Sequence, residues 1–499
     1  MIENDWQSEE IIPTLANHLD FLPKHPGCYP LESIAQFDKP RLLPFFSRLP
    51  QHSQINEECI TPYYPPGDDL NLQRLAQQND CHFSMSTSTC TGILSHVYYA
   101  LSNFKSPHFN NLTESYDQEP MKFMISQRKP TSVFLRRIKT KDGSKLFAVD
   151  GDKGFSEPSN VVLLKMGKYM EKMLTTDADY FNDYCVNDPL TNRPRKELSE
   201  ADRAEMLSED YYRYMKAGKV FLRSQIDTKG EDAEGNPIVF ELKTRAVAPM
   251  RYDITNYIDY LDYSIVKAKG MHSSFEREFY DLIRGGFLKY ILQMKIGRMQ
   301  GACIAYHNTQ KVFGFEYVPI EQMERRVFGC QEFSDTVFKT SLCVVEKALE
   351  RILSEFQDDD DSDSNQVLKV GFYANEKTRL VEIIVEEFDE DGPYFSRFSE
   401  GYGGFNPDYM VDPIDFYLTH KITPKVTRFQ LGLYPSLNGI FIDHAPILFE
   451  KGDHLDVKYS IQRVGKMDFN AYMAFLHEVY KQQNMALENE YSGTWSFKV

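Results

Sequence analysis

Two strand-like runs, Phe221–Asp227 and Ile238–Arg245, lie on either side of a turn-rich stretch, Thr228–Asn236. β-Branched and aromatic residues mark the runs, while Asp, Gly and Asn punctuate the gap. The midpoint between Asp227 and Glu241 is Glu234, inside the gap. An antiparallel hairpin of the two runs therefore sets Asp227 opposite Glu241. Glu241 and Lys243 are two residues apart and project from one face of their strand. Two carboxylates and one ammonium meet at one spot.

That meeting constrains the chemistry. Adjacent carboxylates in a half-buried site repel, and one takes up a proton unless something compensates. A hard divalent cation removes the conflict. Mg²⁺ is the expected ion, with Mn²⁺ as its substitute, because one or two carboxylates plus waters and a substrate phosphate complete its shell. Such an ion acidifies water and stabilises a phosphorane, while a lysine orients the attacking hydroxide. Hydrolysis of a phosphodiester needs these parts and no covalent nucleophile. The competing reading of Asp227, Glu241 and Lys243 is a cross-strand salt bridge on a solvated face.

The surrounding pattern alternates helices and strands, an α/β (α+β) chain. Ser86–Thr89 supplies N-caps for a helix carrying Ile93, Val97, Tyr98 and Leu101. Ser132–Ile138 and Lys145–Val149 read as strands around Asp142-Gly143. Val161–Leu174 reads as a helix with Leu164, Tyr169 and Leu174 inside and Glu171 near its end. Residues 177–215 are polar and Tyr-rich, and are expected to be helical beyond Ser199. Phe275–Ile304 carries one long helical pattern, Val312–Val318 a strand, and Asp335–Phe356 a buried helical seam. Beyond the acidic run Asp358–Asn365, read as a solvated linker, the pattern is β-rich. Leu368–Tyr373 pairs with Leu380–Phe388, Arg428–Tyr434 with Ile440–His444 across Asn438-Gly439, and Asp468–Gln482 closes as an amphipathic helix.

Ten of the 25 prolines fall between Pro13 and Pro66. Proline at that density opposes regular bonding. The stretch reads as an extended arm whose Phe21, Leu22, Phe45, Phe46, Tyr63 and Tyr64 cover a folded body. The expected division is thus residues 1–80 as a Pro-rich arm, 81–357 as a core with insertions, and 366–499 as a β-rich accessory region.

The net charge is −17, which argues against a generically basic nucleic-acid binder. The charge is uneven, however. Met121–Leu174 holds twelve Lys/Arg against five Asp/Glu, and Asp358–Asp391 three against twelve. A basic groove is compatible with the acidic total. The eight cysteines include no C-x-x-C, so reduced thiols in a cytosol-like or matrix compartment are expected. Cys81-His82, Cys90 and His96 match no zinc spacing and read as buried structural residues. No apolar run approaches the ~20 residues of a membrane span. No Lys or Arg precedes Lys24, so the start resembles neither a secretory signal nor a transit peptide.

Asp227 followed by Glu241-Leu242-Lys243 on the next strand resembles the PD-(D/E)XK nuclease signature, with Ile226 where the signature's name has proline. Glu171, late in the preceding helix, matches the first acidic motif of that superfamily. Gln293 matches the glutamine of its exonuclease-like branches. Ser224-Gln225-Ile226-Asp227, Phe240–Ala246, Arg251-Tyr252-Asp253 and Ser86–Ser102 further resemble the fungal mitochondrial RNA-processing and degradation family within it, over about residues 40–350. The resemblance implies a restriction-endonuclease-like core, a mixed central sheet flanked by helices. It implies a Mg²⁺-dependent 5′→3′ exoribonuclease of the mitochondrial matrix, with peripheral membrane association compatible, an absent presequence, and the mitochondrial RNA polymerase as partner. Asp227, Glu241 and Glu171 would hold the metal, Lys243 would position the water, and Gln293 would orient that lysine or the substrate. Gln293 is equally readable as a satisfied buried amide, and Arg245 as a phosphate contact or a hairpin cap. Arg136 and Arg137, with Gln127–Lys129, form the preferred tract for single-stranded RNA, because Phe134, Phe147 and Phe155 lie near them and bases stack on aromatic rings. Two other functions fit the same residues: a non-catalytic RNA-binding cofactor of the polymerase, and a DNA exonuclease.

Overall fold

The structure, a computed structural model, describes residues 9–479 except 62, 141–142, 144, 153–158, 198, 201–209, 357–365, 390–416, 419–420 and 422. Two mixed sheets organise it. In chain order the strands are β1 (Gly27–Pro30), β2 (Phe83–Ser86), β3 (Thr131–Arg137), β4 (Phe147–Gly151) and β5 (Tyr212–Ala217). Next come β6 (Val220–Gln225), β7 (Thr228–Glu231), β8 (Pro237–Ala246), β9 (Gly301–His307) and β10 (Val312–Pro319). The last are β11 (Gln366–Asn375), β12 (Leu380–Asp389), β13 (Lys425–Leu437), β14 (Ile440–Phe441) and β15 (Leu455–Met467).

The smaller sheet runs β1-β10-β9-β8-β7, and only the β8–β9 pair is parallel. The larger runs β14-β13-β12-β11-β3-β4-β2-β6-β5, with β15 on β13. Its β2 is parallel to both β4 and β6. Every residue of β9 is buried, as expected of an inner strand covered on both faces. Because β11 pairs with β3, strands from both sides of residues 357–365 share one sheet.

Five helices matter for the site. Helix α1 (Thr87–Leu101) starts at Ser86, whose N–H donates to Thr89 Oγ1 at 3.1 Å. Helix α2 (Ser159–Thr175) packs Met166, Tyr169, Met170 and Met173 against Phe240 and Leu242 of β8. Helix α3 (Phe275–Gly285) is capped by Ser274 Oγ, which accepts the Arg277 N–H at 3.0 Å. Helix α4 (Phe287–Gly297) follows at once and ends at Arg298, in the left-handed region at φ 51°. Helix α5 (Gln331–Phe356) buries Val337, Leu342, Val345, Leu349 and Ile352.

Several expectations hold in detail. The capped helix at Ser86, the strand pair β3/β4, the helix bearing Glu171, the pair β11/β12 and the closing helix over 469–479 are all present. The hairpin at Asn438-Gly439 forms only between Ser436-Leu437 and Ile440-Phe441, because Arg428–Tyr434 pairs with β15 instead. Leu164, Asp142 and the acidic run Asp358–Asn365 lie outside the described residues or side chains.

Four expectations are corrected. The helical pattern Phe275–Ile304 is two helices and a strand, broken at Gly285-Gly286 and again after Gly297. The run is buried almost throughout, so hydrophobicity alone did not mark the change of element. Helix does not extend through residue 215, because Tyr212–Ala217 is β5, an edge strand paired with β6. Phe221–Asp227 does not pair with Ile238–Arg245 either. β6 stays in the larger sheet, and the partner of β8 is β7, in the stretch read as a turn.

The fourth correction concerns the Pro-rich arm. It buries Leu22, Phe45 and Phe46 but leaves Tyr64 exposed, and it is not merely extended. It contains β1, which pairs with β10, and the helix Lys39–Ser47, with Pro40 in its first turn where no N–H partner is lost.

Candidate functional site

The chain crosses from the larger sheet to the smaller one at Ile226-Asp227. In the β7/β8 register Thr228 faces Phe240, so one further step sets Asp227 level with Glu241. The Pro13 carbonyl fixes this step by accepting the Lys229 N–H and the Thr228 hydroxyl, both at 2.9 Å. Asp227 Oδ2 accepts the Leu242 N–H at 2.9 Å.

Glu241 is 1% exposed. Its Oε1 accepts from Lys243 Nζ, and from Gln293 Nε2 at 2.6 Å. Its Oε2 is buried and, among the described residues, has no hydrogen-bond partner. Lys243 Nζ also sits 5.6 Å from the centre of the Tyr290 ring. Tyr290 and Gln293 are three residues apart on α4 and so share a face.

The electrostatics are those of crowded carboxylates. Burial pushes Asp227 well above the usual carboxylate range, and Glu241 and Glu171 push it further. Burial likewise raises Glu171 to about 7, with Glu241 and Asp210 adding to the rise and Lys243 and Lys168 opposing it. Burial works against the charge of Lys243, yet Glu241, Asp227, Tyr290 and Glu171 together hold it above the ordinary lysine range. The structure thus gathers Glu171, Asp227, Glu241, Lys243 and Gln293 around one point.

Arg245 continues the Glu241–Lys243 row on β8. Its side chain is 10% exposed, its Nε lies 3.9 Å from Glu278 Oε2, and among the described residues that nitrogen makes no hydrogen bond. Burial, then the charge of Arg251, lowers its pKa. Arg251 itself is spent on Glu278 and on Asp281 at 2.6 Å, and the Tyr252 hydroxyl donates to Asp281 at 2.8 Å. The string Arg251-Tyr252 is therefore a buried clamp between the end of β8 and α3.

Arg136 and Arg137 are not brought into the acidic cluster. They lie on β3, and Arg136 is tied to Asp68 at 2.8 Å and Asp150 at 3.3 Å. Sequence reasoning missed Asp210 and Tyr290. Both sit far from the motif in sequence, and only folding places their charge and ring beside it.

The donors suit a hard cation. Three carboxylates converge, two of them with pKa values raised by burial and mutual repulsion, and the buried Glu241 Oε2 lacks a partner. Among the described residues no group of three or more His, Cys, Asp or Glu side chains is positioned to hold a metal ion as it stands; Lys243 and Gln293 engage Glu241 Oε1 instead. All eight cysteines are free thiols, and His96 is engaged by Lys129 and Ala374, not by a cysteine.

In this mixed α/β fold a helix with a late glutamate, Asp227 between two strands, a strand with Glu241-Leu242-Lys243, a helix with Gln293 and a further strand follow in order, an order that resembles the PD-(D/E)XK arrangement. The chain belongs to the family of mitochondrial protein Pet127, whose sequence profile matches residues 63–350. It is 32% identical over 356 residues to "mRNA degradation protein pet127, mitochondrial" of Schizosaccharomyces pombe, covering 70% of this chain and 64% of that protein. It is 31% identical over 267 residues to "Putative mitochondrial translation system component PET127" of Saccharomyces cerevisiae, covering 52% of this chain and 30% of that protein. The chain thus spans less than two thirds of the length of either curated relative. Crystal structures of Scheffersomyces stipitis Rai1, alone and with (3'-NADP)+ and calcium ion, align at 12% and 11% identity. They cover 70% and 81% of this chain and 79% and 91% of theirs, but TM-scores of 0.28 and 0.31 carry no argument.

Proposed function

We propose that this chain is a Mg²⁺-dependent 5′→3′ exoribonuclease that hydrolyses RNA phosphodiesters in mitochondrial RNA 5′-end processing and degradation. The observation that carries the reading is the buried, unpartnered Oε2 of Glu241 beside Asp227. A buried carboxylate oxygen without a donor is costly, and a cation shared with Asp227 relieves it. The family, and the printed name of the Schizosaccharomyces pombe relative, support RNA as the substrate and mitochondria as the compartment.

Asp227 and Glu241 would hold Mg²⁺ (or Mn²⁺), with Glu171 completing the acidic shell. When bound, the ion supplies charge neutralisation and lowers the pKa of water. Lys243, kept protonated by its carboxylate neighbours, orients the attacking water and offsets charge growing on the phosphate. Gln293 fixes the rotamer of Glu241 through its bond to Oε1. Arg245, buried in this row and without a hydrogen bond at Nε among the described residues, would hold the phosphate beside the scissile one. Arg136 and Arg137 are proposed as outlying contacts to the RNA backbone, Arg136 after release of its exposed partner Asp68. Association with the mitochondrial RNA polymerase and a matrix location, peripheral to the membrane, complete the proposal. Among the described residues no helix is long and apolar enough to cross a membrane.

Incubation of the purified chain with end-labelled RNA and DNA, with and without Mg²⁺, tests it. The expected result is release from a free single-stranded 5′ end of RNA, only with the metal. Rapid cleavage of a closed circle would make the enzyme an endonuclease.

A further inference from the structure

Two lysines of α4 are treated differently by the fold. Lys295 is tied to Glu324 at 2.6 Å and to Asp335 at 2.5 Å. Lys289 is half-buried and, among the described residues, its ammonium has neither a hydrogen bond nor an ion pair. Burial lowers its pKa with no carboxylate acting to restore it. Holding an ammonium this way is destabilising. Lys289 also lies four residues before Gln293, on the helix face from which Gln293 reaches Glu241. An uncompensated cation therefore stands one helical turn from Gln293, the amide that reaches Glu241.

The segment over 121–130 is tied to the end of α3, just before α4 begins. The Met124 N–H donates to the Arg284 carbonyl at 3.1 Å, and Arg284 Nε to the Lys122 carbonyl at 2.9 Å. Further along, His96 of α1 acts as a peg. Its Nδ1 accepts the Ala374 N–H at 3.1 Å, so Nε2 carries the proton and donates to the Lys129 carbonyl at 2.8 Å. His96 is kept neutral, its pKa driven to about 4 by burial first and, in smaller part, by the charge of Lys289. The Lys129 carbonyl is thereby fixed against α1. The Lys129 ammonium, too, makes no hydrogen bond or ion pair among the described residues.

We propose that Lys289 and Lys129 form a phosphate-binding track along α4 that leads the backbone of single-stranded RNA to Asp227 and Glu241. The choice of ligand rests on the nuclease reading above. Phosphate contacts of this kind position a strand without reading its sequence, and a half-buried track admits a single strand more readily than a duplex. Each neutralised phosphate releases counterions, so each lysine leaves a mark on the salt dependence of binding.

The test is anisotropy of a labelled single-stranded RNA, without divalent ions, over a salt series, using the full chain and its Lys289→Gln, Lys289→Arg and Lys129→Gln variants. Each Gln variant should bind about tenfold more weakly, with a log–log slope shallower by roughly 0.7. Lys289→Arg should keep the slope, and Lys289→Gln should keep or raise Tm, because it removes an uncompensated charge. Unchanged affinity and slope in both Gln variants, or a lowered Tm in Lys289→Gln, would overturn the track. Wild-type binding with these slopes but no RNA cleavage would leave the track standing and remove the nuclease reading. Cleavage with unaltered slopes in the variants would do the reverse.

Discussion

Asp227 Oδ2 accepts the backbone N–H of Leu242 at 2.9 Å, so one carboxylate is pinned to the residue that follows the other, Glu241. The bond joins the point where the chain changes sheets to β8 of the smaller sheet. It holds like charges together that would otherwise separate, and the raised pKa of Asp227, from burial and from Glu241, records the tension.

Neutralising one member should therefore steady the metal-free chain. Asp227→Asn keeps an oxygen for the Leu242 N–H and removes the repulsion. A gain on the order of 1 kcal/mol in metal-free stability is expected, as is common when a strained functional site is relaxed. Mg²⁺ at about 100 times its Kd should stabilise the wild type by about 2.7 kcal/mol and leave the variant unchanged. Thermal denaturation with and without Mg²⁺ reads both.

Lys243→Ala should lower cleavage about 10²–10³-fold, the usual cost of losing one preorganised electrostatic group. Mn²⁺ affinity should change little, because a protonated lysine is no ligand. Single-turnover cleavage beside Mn²⁺ binding by electron paramagnetic resonance separates the two, and a collapse of Mn²⁺ binding would remove the assigned role.

The pH dependence follows from two buried carboxyls, Glu171 and Glu316, each raised by burial from 4.5 to about 7. Between those values the folded chain holds protons that the unfolded chain has released, so each group costs stability as pH rises from 4.5 to 7. His96 and His307, lowered by burial to about 4 and about 3, act in the opposite direction, so variants are best compared with wild type. Glu316→Gln and Glu171→Gln should each gain relative stability across that window. Saturating Mg²⁺ should abolish the gain only for Glu171→Gln. Equal gains with and without Mg²⁺ in both variants would remove Glu171 from the metal site.

Gly314 lies where β1 crosses β10, and a Cβ there would overlap the Tyr29 carbonyl. Gly314→Ala should cost about 1–3 kcal/mol, the usual penalty of overpacking, and expose the arm to protease. An unchanged Tm and cleavage pattern would show that the arm contributes little to the fold.

How much of this was legible in the sequence differs from residue to residue. The opposition of Asp227 and Glu241 was, because the register of a short connection is fixed by counting. The strand that makes it was not, since the buried Thr228 and the bond from Lys229 to Pro13 turn an apparent loop into β7. Glu171 and Gln293 were found through resemblance, and no local pattern brings them to Glu241. The break of Phe275–Ile304 was hidden because helix and strand here are both buried almost throughout, leaving Gly285-Gly286 and Gly297 as the local cues. Arg136 looked like a free cation until tertiary contacts supplied Asp68 and Asp150.

The most direct test of the central claim is cleavage of a 5′-labelled single-stranded RNA in Mg²⁺ by the wild-type chain and by Asp227→Asn, with folding and RNA binding of both confirmed in parallel. The account predicts Mg²⁺-dependent cleavage by the wild type and none by the variant, which still binds the RNA. Equal cleavage by both would show that the site at Asp227 and Glu241 is not where RNA is hydrolysed.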